Sequence, residues 1–107
     1  MNPLVQQIAN EYKAILRDLY GNELAELVLF GSYARGDQHD ESDIDFAIVL
    51  SDSHIRSAND MIKTAALESR FSLKYGLMLS SILTSVHKKQ TSMQGVYQEI
   101  RKEGIII

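Results

Sequence analysis

Apolar residues recur at helical spacing over the first part of the chain. Such spacing puts one apolar stripe along a helix, and its members are Leu4, Val5, Ile8, Tyr12, Ile15, Leu16 and Leu19. Asn2 followed by Pro3 is typical of the start of a helix, and Gly21 of its end. The pattern predicts an amphipathic helix from Pro3 to the residue before Gly21.

Three short apolar runs predict buried β-strands. They cover residues 24–30, 44–50 and 77–84. Between the second and third runs, Ser53 or Ser57 can open a long helix that ends near Tyr75 and Gly76. We expect the core side of that helix to be formed by Ile55, Ala58, Met61, Ile62, Ala65, Ala66 and Phe71.

The end of the chain predicts a shorter helix and a terminal apolar segment. The helix covers residues 92–102, and Gly104 stops it before three consecutive isoleucines, residues 105–107. Three apolar residues in a row need burial, either as an edge strand or against another subunit. An oligomer is therefore one of the two readings of this segment.

Length and composition indicate one domain spanning residues 1–107. The 107 residues are 45% hydrophobic and 23% charged, which suffices for a small core. Strands and helices interleave, so the predicted class is α/β (α+β) with a short sheet. No apolar run approaches the ~20 residues that span a bilayer, and the N-terminal residues lack the features of a signal peptide.

Charge and cysteine content narrow the classes of function. The net charge of −3 disfavours a protein whose main ligand is a nucleic acid. The chain has no cysteine, which excludes disulfides and thiolate metal sites and fits a reducing compartment. We therefore expect a cytoplasmic domain.

Acidic residues are concentrated before the second predicted strand. Five of the nine residues from 37 to 45 are Asp or Glu. Asp43 and Asp45 flank Ile44, and because side chains alternate along a strand, both carboxylates project from one face. Such a pair shares a proton or binds a hard cation such as Mg²⁺. The alternative is a solvated strand entrance, where D-x-D occurs by chance.

Gly31 and Ser32 follow the first predicted strand directly. Backbone N–H groups in such a turn can bind an anion, Ser32 adds a hydroxyl, and Arg35 lies within reach of a polyphosphate. The alternative is an ordinary glycine turn with a surface arginine. The G-S turn after the first strand would supply a phosphate site, and the D-x-D pair at the start of the second strand would supply metal ligands. The two motifs together are more specific for this chemistry than either motif alone.

The segment GSYARGDQHDESDIDFAIVL resembles the signature of the minimal nucleotidyltransferases in the DNA polymerase β superfamily. In that family G-S is followed, after ten residues, by D-x-D, and this chain has the same spacing. The resemblance implies a small mixed β-sheet with helices packed on one face. It also implies transfer of a nucleoside monophosphate, AMP from ATP, to a hydroxyl acceptor.

The same resemblance implies roles for individual residues. Gly31 and Ser32 would hold the β- and γ-phosphates, and Arg35 would lie near them. Asp43 and Asp45 would be the catalytic carboxylates that ligate Mg²⁺. Members of this group commonly work beside a small helical HEPN-type protein as antitoxins, so a HEPN-type toxin is the implied partner and its tyrosine the implied acceptor.

The chain departs from the family pattern at one place. Active members usually supply a third carboxylate from a later strand, but the run at residues 77–84 contains no acid, and Ser80 or Ser81 stands there instead. Two hypotheses follow. The chain is either a Mg²⁺-dependent nucleotidyltransferase, or a catalytically attenuated module of the same fold that neutralises its partner by direct contact.

Overall fold

A computed structural model describes residues 1–107 as a four-stranded sheet flanked by helices. The α-helices are α1 (Pro3–Tyr20), α2 (Ser32–Arg35), α3 (Ala58–Tyr75), α4 (Val86–Thr91) and α5 (Gly95–Glu103). The strands are β1 (Leu24–Phe30), β2 (Ile44–Leu50), β3 (Leu79–Ser85) and β4 (Ile105–Ile106). None of the helices has the length and hydropathy needed to cross a membrane.

Helix α1 has the predicted ends. The Asn2 side chain accepts hydrogen bonds from the N–H groups of Leu4 (2.8 Å) and Val5 (3.4 Å), which satisfies two otherwise unpaired donors of the first turn. The helix ends at Tyr20, and Gly21 leaves it with a φ of +56°. Because a positive φ strains residues with a Cβ atom, glycine is suited to this position.

The sheet is mixed, with the order β3-β2-β1-β4. β1 pairs antiparallel with both β2 and β4, whereas β2 and β3 run parallel and are joined through α3. The first two strands occupy the predicted residues, and the third begins at Leu79 rather than at residue 77. The terminal isoleucines form an edge strand on β1, one of the two arrangements expected from the sequence.

The two long helices cover one face of the sheet. Tyr12 of α1 packs against Phe46 of β2 and Phe71 of α3, with ring centroids 5.2 and 5.3 Å apart. The mixed sheet with helices on one face is thereby confirmed for α1 and α3. A smaller cluster lies on the other face, where Tyr97 and Ile100 of α5 pack on β1 and β2.

The predicted core side of α3 is wrong in most of its residues. Ile55 lies before the helix and is 87% exposed, and Met61 and Ile62 are 70% and 67% exposed. Ala58, Ala65 and Ala66 are exposed as well, and only Phe71 of the predicted set is buried. Asp60 and Thr64 are the other buried residues of α3, and Leu67 and Tyr75 pack against the core.

A polar network explains why α3 turns Asp60, rather than its apolar residues, towards the domain in its first turn. Asp60 accepts hydrogen bonds from the Tyr20 hydroxyl at 2.9 Å and the Ser57 N–H at 3.0 Å, and it contacts His54 Nε2 at 3.0 Å. A buried carboxylate is tolerated when it is hydrogen-bonded in this way. The network therefore holds a polar side of the first turn of α3 against the domain and leaves apolar side chains outside.

The C-terminal region contains two helices instead of the single one predicted over residues 92–102. The Ser85 hydroxyl accepts from the Lys88 N–H at 3.1 Å and caps α4, which ends before Ser92. A separate helix, α5, then begins at Gly95 and continues to Glu103, next to the predicted stop at Gly104. This break lets α5 lie on the sheet face that carries Asp45.

Candidate functional site

The end of β1 and the start of β2 meet at one edge of the sheet. Because the two strands are antiparallel, Phe30, the last residue of β1, is the register partner of Asp45. Ile44 is buried in the α1–α3 core, so the alternation of side chains puts Asp45 on the opposite face, which α5 covers. Asp43 lies exposed just before β2, and Asp45 is half-buried.

The Gly31 turn is in direct contact with Asp45. Gly31 has a φ of +74°, and a Cβ atom at this position would overlap with Oδ2 of Asp45. The Gly31 carbonyl accepts hydrogen bonds from the N–H groups of Ala34 and Arg35, both at 3.1 Å, and Ser32 begins α2. The structure thus brings together the G-S turn and the second aspartate of D-x-D, as the sequence pattern requires.

Gly31→Ala tests this contact, and Gly36→Ala is its matched control. Both glycines have positive φ values, +74° and +83°, but a Cβ atom at Gly36 meets nothing within 4 Å. We expect Gly36→Ala to lower the free energy of unfolding by about 1–2 kcal/mol, the cost of the backbone conformation. Gly31→Ala should cost about 1–3 kcal/mol more, because it also displaces the Asp45 carboxylate. Urea denaturation measures both, and equal losses would contradict the contact.

Negative charge accumulates around Asp45. Burial raises the pKa of its carboxyl, and the charges of Asp43 and Glu99 raise that pKa further, while Arg35 acts in the opposite direction. Like charges close together in a half-buried site disfavour the ionised form. A bound cation would remove this penalty, so the site has the electrostatic character of a cation-binding site.

Arg35 is paired with carboxylates on two sides. Its Nε atom lies 3.1 Å from Asp37, and Nη1 lies 2.7 Å from Glu99 and 3.2 Å from Glu103. These ion pairs connect the residues after the G-S turn to α5. The structure therefore places Arg35 beside the site, but with its guanidinium engaged by acids of the chain.

Glu99 and Glu103 were not among the residues predicted for the site. They lie one helical turn apart on α5, on the side that faces Arg35. Glu99 lies on the helix predicted over residues 92–102, and Glu103 lies one residue beyond its predicted end. What the sequence lacked was the information that this helix packs on the sheet face of Asp45.

The register of β3 decides which serine stands in place of the third carboxylate. Ser80 is the register partner of Asp45, so the two residues lie side by side on the face of the site. Ser81 points to the other face, where its hydroxyl contacts the Tyr12 hydroxyl at 2.8 Å and its N–H donates to Glu68 at 3.0 Å. Ser80 therefore holds the position, and β3 carries no acid.

The donor set fits Mg²⁺ bound together with a substrate. No group of three or more His, Cys, Asp or Glu side chains comes together as a metal-binding cluster. An all-protein metal cage is thus absent. Mg²⁺ usually takes one or two carboxylates, and waters and substrate phosphates complete its shell. Asp45, in contact with the G-S turn, and Asp43, two residues before it, provide that kind of donor set.

Comparison with known proteins gives one family. Residues 9–106 match the sequence model of the family described as "Nucleotidyltransferase domain". A protein of Methanocaldococcus jannaschii, named "putative protein adenylyltransferase", is 31% identical over 99 residues, which are 92% of this chain and 94% of the relative.

Solved structures share the fold. A crystal structure of a toxin–antitoxin with AMP-PNP superposes with a TM-score of 0.66 at 22% identity, covering 92% of this chain and 70% of that chain. A "putative nucleotidyltransferase" from Sulfolobus solfataricus gives a TM-score of 0.62 at 25% identity, with coverages of 94% and 76%. Both likenesses extend over nearly the whole of the domain described above.

Proposed function

The chain belongs to the nucleotidyltransferase domain family, and on this basis we propose that it transfers AMP from ATP to a hydroxyl group in a Mg²⁺-dependent reaction. The observation that carries the proposal is the contact between the Asp45 carboxylate and Gly31 of the G-S turn. This contact supports the proposal because phosphates bound at the turn would lie within reach of a metal ion held by the carboxylate. A relative at 31% identity that is named a protein adenylyltransferase supports AMP as the transferred group.

Each residue of the site has a separate role in the proposed reaction. The turn at Gly31 and Ser32 binds the β- and γ-phosphates of ATP through N–H groups and a hydroxyl. Asp43 and Asp45 would hold Mg²⁺, and the ion would supply charge neutralisation to the phosphates. The acceptor oxygen forms a bond to the α-phosphorus, pyrophosphate leaves, and the hydroxyl proton is released. Arg35 would lie near the phosphates, at the side of this turn, where its guanidinium is paired with acids of the chain.

The proposed acceptor is a tyrosine of a HEPN-type toxin, and the chain would act as its antitoxin. Its fold is shared with a chain solved in a toxin–antitoxin structure, which supports a protein partner. We also propose that residues 1–107 form one nucleotidyltransferase domain, and the absence of cysteine supports action in the reducing cytoplasm.

A second function is favoured by one observation. Ser80 stands beside Asp45 where a third carboxylate would help to bind metal and to activate the acceptor. A serine is a weak ligand and a poor base at neutral pH. A catalytically attenuated module, which transfers AMP slowly or not at all and neutralises its partner by direct contact, has the same fold and the same remaining residues.

Label transfer from α-³²P-ATP distinguishes the two functions. The chain is incubated with Mg²⁺ and a co-expressed HEPN-type protein, with EDTA and with a tyrosine-to-phenylalanine variant of the partner as controls. The proposed enzyme labels the partner only when Mg²⁺ and the tyrosine are both present. A stable complex that binds ATP but never becomes labelled would establish neutralisation by contact and overturn the transfer reaction.

A further inference from the structure

A cavity of about 480 Å³ opens along the free edge of β3. It lies between α3 on one side and α4 and α5 on the other, and none of the residues assigned to the phosphates or the metal lines it. Met61, Leu83 and Tyr97 contribute to its apolar walls, and Glu68 and Lys88 are among its charged residues. Its volume is within the range of small-molecule binding sites.

Glu68 gives this cavity a fixed acceptor. Its Oε1 atom accepts a hydrogen bond from the Ser81 N–H at 3.0 Å, which holds the carboxylate against β3. Burial raises the pKa of the Glu68 carboxyl. A half-buried carboxylate among apolar walls gains most from a ligand that donates an N–H group to it.

The walls suit a flat ring. The ring of Tyr97 forms one side, with Lys88 Nζ 5.5 Å from its centroid, and Met61 and Leu83 supply further apolar contacts. Lys88 and Arg56, which also lines the cavity, form no ion pair with an acidic side chain. The cavity therefore combines apolar contact area with one oriented acceptor, a combination that suits a nucleobase.

The cavity begins next to the D-x-D site. Ser80 is the register partner of Asp45, and the following residues, Ser81 to Leu83, line the cavity. At a rise of ~3.3 Å per residue these positions extend about 10 Å from Ser80. That distance is comparable with the length of a nucleoside whose α-phosphate lies at the carboxylates.

The same edge is poorly suited to an added peptide strand. A new strand would need the outward N–H groups of β3, but the Ser81 N–H donates to Glu68 and the Leu79 N–H to Ser72 Oγ at 3.4 Å. An inward-pointing charged side chain is a known obstacle to strand addition. This disfavours an extended acceptor segment as the occupant and leaves a small ligand.

We propose that this cavity binds the adenine base of ATP, with the 6-amino group donating a hydrogen bond to Glu68. The inference rests on the nucleotide-transfer function proposed above and adds the residue that selects the base. Guanine, which carries a carbonyl oxygen at the same ring position, would turn an acceptor towards the carboxylate and would be rejected.

Calorimetry with three ligands tests the proposal in the presence of Mg²⁺. We expect the wild-type protein to bind ATP at least about tenfold more tightly than purine riboside triphosphate, which lacks the 6-amino group. Glu68→Gln keeps an oxygen for the Ser81 N–H but presents an NH₂ group to the base, so the preference should fall to near one. Inorganic tripolyphosphate should bind both proteins equally.

A second pair of variants tests the location. Ala65→Trp fills the cavity from α3, and Ala58→Trp, at another exposed alanine of the same helix, lies outside its lining. The first should weaken ATP at least about tenfold without changing tripolyphosphate binding, and the second should do neither. The base site alone would be overturned if Glu68→Gln kept the preference for ATP over purine riboside triphosphate and Ala65→Trp kept the affinity for ATP, with tripolyphosphate still bound by both. Failure of the wild-type protein to bind any of the three ligands would overturn the nucleotide function itself.

Discussion

Replacing Asp43 and Asp45 together with asparagine is expected to abolish binding of Mg²⁺–ATP and to reduce AMP transfer at least about a hundredfold. Asp45 is in contact with Gly31 and Asp43 lies two residues before it, and asparagine supplies neutral oxygens in place of both carboxylates. Transfer should be followed with labelled ATP, and binding by calorimetry. Retained ATP affinity in the double variant would place the nucleotide elsewhere on the molecule.

The same variant should fold at least as well as the wild-type protein. Burial and the neighbouring charges of Asp43 and Glu99 raise the pKa of Asp45, so its ionised form is destabilised in the folded state. Removing that charge relieves repulsion. A melting temperature that stays equal or rises therefore separates a lost ligand site from a lost fold. Asp40→Asn, at an exposed acid of the same loop, is the control that should retain binding.

Ser80→Asp is expected to raise AMP transfer about tenfold or more. The register places residue 80 beside Asp45 on the same face, so an aspartate there adds a third carboxylate to the metal site. A positioned acid or base contributes ~10²–10⁴-fold in enzymes, and an engineered one recovers part of that factor. The initial rate of partner labelling at saturating ATP is the measurement.

Ser80→Asn is the matched control, because asparagine has the size of aspartate but no charge. It should leave the rate near that of the wild-type protein. Equal rates in both variants would show that the face of β3 next to Asp45 takes no part in the reaction. A faster aspartate variant would show that the serine limits turnover, which is the property that separates the enzyme from the contact-only module.

Local signals were sufficient for the elements that carry the site. The cap at Asn2, the stop at Gly21 and two continuous apolar runs gave α1, β1 and β2 with the ends that the structure has. The apolar side of α3 could not be obtained in this way. Its orientation depends on contacts between Asp60 and two residues outside the helix, Tyr20 and His54, and periodicity contains no information about them.

The residues of the site likewise fall into those that local sequence could predict and those that required the tertiary structure. Gly31, Ser32, Asp43 and Asp45 lie close in sequence, and one antiparallel pair of strands brings their positions together. The choice between Ser80 and Ser81 required the register of β3, because neighbouring residues of a strand face opposite sides. The partners of Arg35 required the packing of α5, more than sixty residues away along the chain.

The pairing of Phe30 with Asp45 makes the site a local unit of the chain. Every residue assigned to the phosphates and the metal lies between Leu24 and Leu50, in β1, β2 and their connection. The geometry of these residues therefore depends on the hydrogen bonds of one strand pair, and a local opening of that pair would separate the phosphate side of the site from its metal side.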